Sequence, residues 1–444
     1  MPDITSEKLA KYAKSKEWQK KAHDLIPGGC HTYSKGDDQF PELAPGFMVR
    51  GKGCHAWDPD SNEYIEYGIG LRAVTLGHAF EPVVEAVAEQ IRLGSNYTRP
   101  AVVEVECAEM LVDLIDSAEQ VKFAKDGSTV ITAATRLARA HTGRKLIAFC
   151  EDHPFFSYND WFIGCGEMAG GIPEEETALS VKFRYNDLDS LRSLFDRYPK
   201  QIACVVMEAE RTEKPADRYL PAVQDLCHAN GAVFILDEMI TGFRWHNKGA
   251  QHVYGIDPDL CGFGKALANG FSLSALTGKR EIMELGGLRT DKERVFLLST
   301  THGAETHALA AGIATMRFYQ QNDVVGTLHR QGERLANGVN KIVAEMGLEG
   351  YFGVAGRPCN LVYFTCDPDK RPSQPYRTLF MQEIIRRGVI GPSFVISYSH
   401  TDADVDRTIE VVGEALVVYK KALEEGVDKY LMGRSVKPVD RKYV

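Results

Sequence analysis

Two spacings of apolar residues alternate through the middle of the chain. Residues 82–93, 102–115, 128–141, 188–197 and 221–229 carry apolar side chains every three or four positions, the spacing of a half-buried helix. Between them, residues 121–124, 145–149, 202–207 and 232–236 form short, nearly continuous apolar runs. Runs of that kind predict strands buried on both faces, and their alternation with helices predicts a mostly parallel sheet covered on both sides. Longer helical patterns follow at 306–319 and 324–346, then a strand at 360–366 and helices at 376–387 and 402–425. Short strands are expected around 47–50 and 54–57. The fold class is therefore α/β, with a large domain over residues 61–322. A smaller α+β lobe is expected from residues 1–60 and 323–444. No internal repeat or low-complexity segment interrupts the pattern.

Composition narrows the class of partner. The 444 residues are 44% hydrophobic and 25% charged, ordinary values for a globular enzyme, and the length calls for more than one small core. A net charge of −9 argues against nucleic acid or an anionic membrane surface as partner. The most basic stretch, residues 8–21, interleaves its lysines with Leu9, Tyr12 and Trp18 and reads as an amphipathic helix with a solvated face. Ten cysteines stand singly without a C-x-x-C pair, which suits reduced thiols in a cytoplasmic protein. No signal-type leader and no membrane-spanning run is read in the sequence.

Chemistry-bearing residues collect where strands should end, the place where open parallel sheets bind ligands. After the strand at 121–124, Asp126-Gly127-Ser128 turns into a helix. Such a turn is either an ordinary helix cap or an anion site made of backbone N–H groups and the helix dipole. The strand at 232–236 runs into two adjacent carboxylates, Asp237 and Glu238. Either could cap a helix, and either could pair with a cationic group of a ligand. Lys265 follows "GF" and "G" and precedes the glycine turn of "ALANG". A desolvated amine there would have a lowered pKa and could attack carbonyls. An anion cradle, a carboxylate and a reactive lysine are together the parts that hold pyridoxal 5′-phosphate.

"ILDEMITGFR" followed by "GFGKALANG" resembles the class III (ω-type) aminotransferases, in particular the glutamate-1-semialdehyde 2,1-aminomutase branch. "LIPGG", "WDPDSNEYIEY", "LGHAF", "RLARAHTGR", "GIPEEETALSVKFRYNDL" and "AAGIATM" extend the resemblance nearly end to end. It implies the type I aminotransferase fold, the large domain being the one that binds pyridoxal 5′-phosphate. It also implies that Lys265 bonds to the cofactor and shuttles a proton, that Asp237 keeps the ring nitrogen protonated, and that Gly127 and Ser128 hold the phosphate. Phe155 and Met239 would pack the two faces of the ring, with Glu208 nearby. Ser299 and Thr300 match residues that reach the phosphate from a neighbouring subunit, which implies a homodimer with shared active sites.

Several positions depart from the aminomutase pattern, and they fall mostly where substrate would bind. The family's Tyr-His-Gly is Phe155-Phe156-Ser157, and its Ser-Trp-Gly is Gly70-Leu71-Arg72. Its carboxylate-gripping arginine is matched by Lys35, which offers a point charge in place of a two-pronged fork. Lys35 and Arg72 are thus the candidates for holding an acidic substrate group. The expected activity is transfer of an amino group from a small-molecule donor to a polar aldehyde or ketone, such as a sugar-derived one. The alternative is the intramolecular exchange of glutamate-1-semialdehyde 2,1-aminomutase. Residues 68–73, "GIGLRA", match G-x-G-x-x-A, but no βαβ unit with an acid at the end of its second strand follows. A protein that kept the cofactor and lost catalysis would not need both Lys265 and Asp237. His302 and His307 lack a third ligand in the sequence, so no metal is assigned.

Overall fold

The computed structural model describes residues 10–443. The chain divides into two compact units. The larger contains Arg72–Val74 and Glu81–Val325; the smaller contains the residues up to Leu71, Thr75–Phe80 and Gly326–Arg441.

The larger unit is organised by a seven-stranded sheet. In chain order its strands are β1 (Gln120–Ala124), β2 (Leu146–Cys150), β3 (Ser180–Phe183), β4 (Ile202–Glu208), β5 (Val233–Asp237), β6 (Leu260–Phe263) and β7 (Ser274–Gly278). In space they run β1-β7-β6-β5-β4-β2-β3. β7 is antiparallel to both its neighbours, and the remaining pairs are parallel. Every residue of β2, β4, β5, β6 and β7 is buried, which is why β2, β4 and β5 read as unbroken apolar runs rather than alternating ones. The helix Gly127–Thr142 lies over the sheet, its Val130, Ile131, Ala134 and Leu137 packed with Ile147, Val206, Ile235 and Leu276. Gly143, in the left-handed region at φ 69°, ends that helix and donates its N–H to Arg139 O.

Helices at 306–319 and 324–346 extend in the structure over Thr306–Gln321 and Val324–Met346, and Leu188–Arg197 and Asp402–Glu425 form as the spacing predicts. At the N-terminus the helix runs over Ala13–Leu25, later than the 8–21 expected, and Lys8 and Leu9 lie outside the described residues. The short strands fall at Arg50–Lys52 and His55–Trp57. The "GIGLRA" segment is not the start of a helix under a strand: Ile69, Gly70, Leu71 and Arg72 all have positive φ. A dinucleotide turn is thereby excluded, since it needs a right-handed helix whose N-terminus faces the ligand.

In the smaller unit, Asp404 works as a node. Its carboxylate closes a capping box with Thr401 at the start of the helix Asp402–Glu425. It also meets His55 Nε2 at 3.1 Å and accepts from the Cys54 thiol at 3.4 Å. The hydrogen bond with Asp404 is the main reason the His55 pKa is raised above 6.5. Burial opposes ionisation of Asp404, but hydrogen bonds from His55 and Thr401 hold its carboxyl well below 3.8. A raised histidine stabilises the fold below its unfolded value and loses that contribution as pH rises through the folded one. A depressed aspartate contributes above its unfolded value and loses it as pH falls. The pair therefore contributes in full between the two reference values, 3.8 and 6.5.

Two predictions follow from this packing. Replacing His55 by Gln should flatten the fall in stability as pH rises above 6.5, read as the urea midpoint against pH; unchanged slopes would remove the pair from that role. Gly332 lies in the helix Val324–Met346 with a would-be Cβ 1.9 Å from Pro358 O. Alanine gains about 1 kcal/mol of helix propensity, but a clash with backbone costs about 1–3 kcal/mol. Gly332→Ala should thus lower the urea midpoint. Gly413→Ala, whose Cβ would meet only the flexible tip of Ile342 at 3.3 Å, should not.

Candidate active site

Three neighbouring parallel strands carry their C-terminal ends to one place. Glu208 of β4 pairs in register with Asp237 of β5, which pairs with Gly262 of β6. Side chains in register on parallel strands point to the same face, about 4.8 Å apart. Two carboxylates are thus set side by side, with Lys265 three residues past Gly262.

Lys265 itself takes φ 44°, in the left-handed region that a side chain with a Cβ normally avoids. Such an outlier marks a position where direction matters more than local comfort. The segment is anchored by Leu267 N–H donating to Gly264 O and by Asn269 N–H donating to Ala266 O. Burial lowers the Lys265 pKa, and the Asp237 and Glu208 carboxylates pull it back up. Asp237 is 3% exposed, and one of its oxygens accepts the Met239 N–H at 2.9 Å. Burial, and then the neighbouring Glu208 carboxylate, push its pKa up to about 7, with Lys265 opposing. Glu208 is raised in the same direction by burial, and its Oε2 is buried with no hydrogen-bond partner. The Glu208 N–H donates to His153 Nδ1 at 3.0 Å, so His153 holds the end of β4; burial lowers that imidazole's pKa to about 3.

Glu238 is turned to another task. It accepts the N–H groups of Ala250 and Gln251, each at 2.9 Å, and the Thr241 hydroxyl, and so closes the loop after β5. That loop also holds Arg244, fully buried, which donates to Ile240 O at 2.6 Å and to Arg72 O.

On the other side of Asp237, the helix Gly127–Thr142 begins. Asp126 is its N-cap, accepting from Thr129 N–H at 2.8 Å, so the cap falls on Asp126 and not on Ser128. Ser128 is buried, and its hydroxyl accepts the Tyr158 N–H at 3.2 Å, tying the turn to the loop after Phe155. A Cβ on Gly127 would lie 2.8 Å from Met239 Sδ, and one on Gly264 2.6 Å from the same atom. Met239 therefore packs into space that two glycines leave open, between the helix turn and the segment bearing Lys265.

The remaining residues singled out in the sequence lie apart from this cluster or at its surface. Phe155 is 51% exposed and meets Phe162 edge-on, while Phe156 is buried against Phe149 and Phe162. Ser299 and Thr300 are exposed in the stretch before the helix Thr306–Gln321. His302 and His307 both approach Glu305, which also pairs with Lys125 at 2.8 Å. Lys35 ends an exposed 3-10 turn in the smaller unit. Arg72 is half-buried and joins the charged group around Glu208. Sequence reasoning missed Arg211, whose Nε lies 3.8 Å from Glu208 Oε1. The i, i+3 spacing from a strand-end glutamate was its one visible signal.

Comparison with known proteins gives this site a family. The profile of "Aminotransferase class-III" matches residues 35–155 and 158–350. The glutamate-1-semialdehyde 2,1-aminomutase of Sulfurihydrogenibium azorense is 31% identical over 91% of this chain and 99% of its own length. The 3-aminobutyryl-CoA aminotransferase of Cloacimonas acidaminovorans is 31% identical over 94% of this chain and 100% of its own. Among solved structures, the FumI protein of Sphingopyxis sp. MTA144 in its PLP internal aldimine form superposes with a TM-score of 0.86. It is 26% identical over 93% of this chain and 98% of its own. The chain belongs to the class III aminotransferases, pyridoxal-phosphate-dependent enzymes with the type I aminotransferase fold.

Proposed function

We propose that the enzyme moves an amino group from a small-molecule donor to a polar aldehyde or ketone, such as a sugar-derived one, with Lys265 and Asp237 as its catalytic residues. The observation that carries this is one partly desolvated amine among two buried carboxylates at adjoining strand ends. The same residues fit pyridoxal phosphate. A helix of 16 residues starts at Gly127, supplying N–H donors and a positive dipole end for a phosphate. Asp237 is a buried carboxyl that a cationic N–H would return to its charged form. Glu208 Oε2 is a buried acceptor awaiting a donor.

When bound, the cofactor supplies an aldehyde that takes up the amine and a ring that withdraws electrons from the reacting carbon. The protein's residues do the rest. Lys265, its amine biased toward the neutral form by burial, acts as nucleophile and then takes and returns the substrate proton. Asp237 holds a proton at the ring nitrogen. Gly127 and Ser128 hold the phosphate, Met239 and Phe155 bound the ring's faces, and Glu208 stands beside it. Ser299 and Thr300 serve the phosphate of a second copy. Exposed Leu288 and Phe296 in the stretch of chain before them, with Ile91, Leu93, Val102 and Val105 on two helices, support a homodimer with shared sites. The ten cysteines are all unpaired, which supports a cytoplasmic setting. The negative net charge gives no support to a nucleic-acid partner, and among the described residues no helix is long and apolar enough to cross a membrane.

The intermolecular reaction is favoured over the aminomutase because Lys35 stands where the resemblance places an arginine. An amine swapped between two carbons of one molecule needs its carboxylate held by a fork. Conversion of glutamate-1-semialdehyde without any second amine would reverse that preference.

Borohydride reduction followed by peptide mapping should place one cofactor adduct on Lys265, and Lys265→Ala should show neither adduct nor turnover. An adduct on another lysine would falsify the assignment. Asp237→Asn should keep the adduct and lower turnover by roughly 10²–10⁴-fold; a near-normal rate would take Asp237 out of the reaction.

A further inference from the structure

In the smaller unit, the turn between the strands Arg50–Lys52 and His55–Trp57 brings a thiol and an imidazole to the start of the helix Asp402–Glu425. Asp404 lies 350 residues beyond Cys54 in the chain. Gly53, at φ 59°, makes the turn. Cys54 sits in that turn, outside both strands, so it escapes the alternation that would send it and His55 to opposite faces. One ligand atom from each of Cys54, His55 and Asp404 lies within 4.8 Å of the other two, and among the described residues no other three His, Cys, Asp or Glu side chains are gathered so closely.

Helix capping accounts for only part of this arrangement. The cap needs Thr401 and one oxygen of Asp404: Oδ2 accepts the Thr401 N–H at 2.9 Å, and Thr401 Oγ1 accepts the Asp404 N–H at 3.3 Å. Asp404 Oδ1 takes no part in the cap and meets His55 Nε2 at 3.1 Å, while the Cys54 thiol stands 3.4 Å from Oδ2. Those separations suit a tetrahedral ion. With bonds of about 2.0–2.3 Å, such an ion holds a nitrogen and an oxygen about 3.3 Å apart, and a sulfur and an oxygen about 3.6 Å apart. In the metal-free chain protons span these gaps, and an ion replaces them.

A second carboxylate stands behind the imidazole. Strand pairing sets Ile65 opposite His55 and Glu63 on the diagonal, within reach of a long side chain. Glu63 Oε1 lies 2.9 Å from His55 Nδ1. A carboxylate in that position orients a metal-binding imidazole and raises its basicity at the other nitrogen, which here faces Asp404. The helix cap has no use for Glu63. Charge balances as well: a thiolate, a carboxylate and a neutral imidazole together neutralise a divalent ion. Cys54 is buried, whereas the His55 and Asp404 side chains are 30% and 15% exposed, so the thiol forms the floor and the other two form the open side.

We propose that Cys54, His55 and Asp404 bind one divalent metal ion of the zinc class, with Glu63 supporting His55 and the fourth position open to water. Thiolate, imidazole and carboxylate are ligands that zinc takes in tetrahedral sites, whereas magnesium and calcium take oxygens alone. On binding, Cys54 gives up its thiol proton and His55 its Nε2 proton, both to water. The ion then clips the N-terminal hairpin to the helix Asp402–Glu425 inside the smaller unit. Its effect falls on the stability of that unit, and nothing in it depends on the role of Lys265.

The test titrates Zn²⁺, Co²⁺ and Mg²⁺ into the holoenzyme after dialysis against a chelator, with calorimetry and absorbance as readouts. One Zn²⁺ should bind per chain and raise the urea midpoint, and Mg²⁺ should do neither. Co²⁺ should give the near-ultraviolet absorption of a cobalt–thiolate bond. Glu63→Gln should weaken Zn²⁺ by roughly 10–100-fold. Cys54→Ser should weaken it further and abolish the cobalt–thiolate band. Glu63 is exposed and outside the cap, so its variant keeps the test decisive should Cys54→Ser fold poorly. His302→Gln, in the group around Glu305, should leave binding unchanged. Zn²⁺ affinity that ignores Glu63→Gln and Cys54→Ser, affinity lost with His302→Gln, a missing thiolate band in wild type, or Mg²⁺ binding as tightly as Zn²⁺ would each overturn the site.

Discussion

Everything in the larger unit turns on the cost of keeping one amine and two carboxylates out of water at the same edge of a sheet. Burial alone pushes Lys265 down and Asp237 and Glu208 up, toward their neutral forms. Their mutual attraction pushes back. Burial keeps the upper hand for all three, and it leaves Asp237 with a pKa of about 7. The sheet makes this standoff possible. Parallel strands in register bring Glu208 and Asp237 to the same level, and five fully buried strands supply the low-dielectric floor beneath them.

The doubled acid at the end of β5 is a division of labour between neighbours. Successive side chains on a strand face opposite ways. Asp237 therefore turns to the lysine while Glu238 turns to the loop, where it satisfies two N–H groups and a hydroxyl. The loop so closed carries Arg244, and Arg244 in turn holds the carbonyl of Arg72. A carboxylate with a structural job thus fixes, through one loop, the backbone at Arg72. The helix-capping reading of this acid pair was half right: one acid stabilises the backbone, the other sits in the charged cluster.

Much of this architecture was legible because burial on both faces leaves a plain mark. β2, β4 and β5 are rich in branched and other apolar residues, and the long helices show an uninterrupted three-to-four spacing. β6 and β7 escaped because Leu260–Phe263 and Ser274–Gly278 are short and interrupted by glycine and serine, which read as turns when the neighbouring strands are not in view. The glycines at 68 and 70 posed the opposite problem. They looked like a nucleotide fingerprint, yet positive φ runs through Ile69, Gly70, Leu71 and Arg72, so the chain turns left-handed just past Gly68. Lys265 and Asp237 could be picked out because each is a charge in an apolar setting. Arg211 could not, because a charged residue just past a strand looks like any loop residue until the partner 3.8 Å away is known.

Met239 shows how the parts of the site are kept in step. Cβ atoms at Gly127, Gly262 and Gly264 would all lie within 3.2 Å of its side chain. One flexible thioether thus fills the space of three absent side chains, from the helix turn, from β6 and from the segment before Lys265. Its long, unbranched side chain reaches all three backbones. The departures at Lys35 and Arg72, by contrast, exchange charge and shape at positions that the resemblance assigns to substrate. A core side chain that must satisfy three backbones at once leaves little room for variation, whereas the exposed Lys35 can be exchanged with little effect on packing. Substrate range can therefore shift in this fold while the amine, the acid and the turn stay in register.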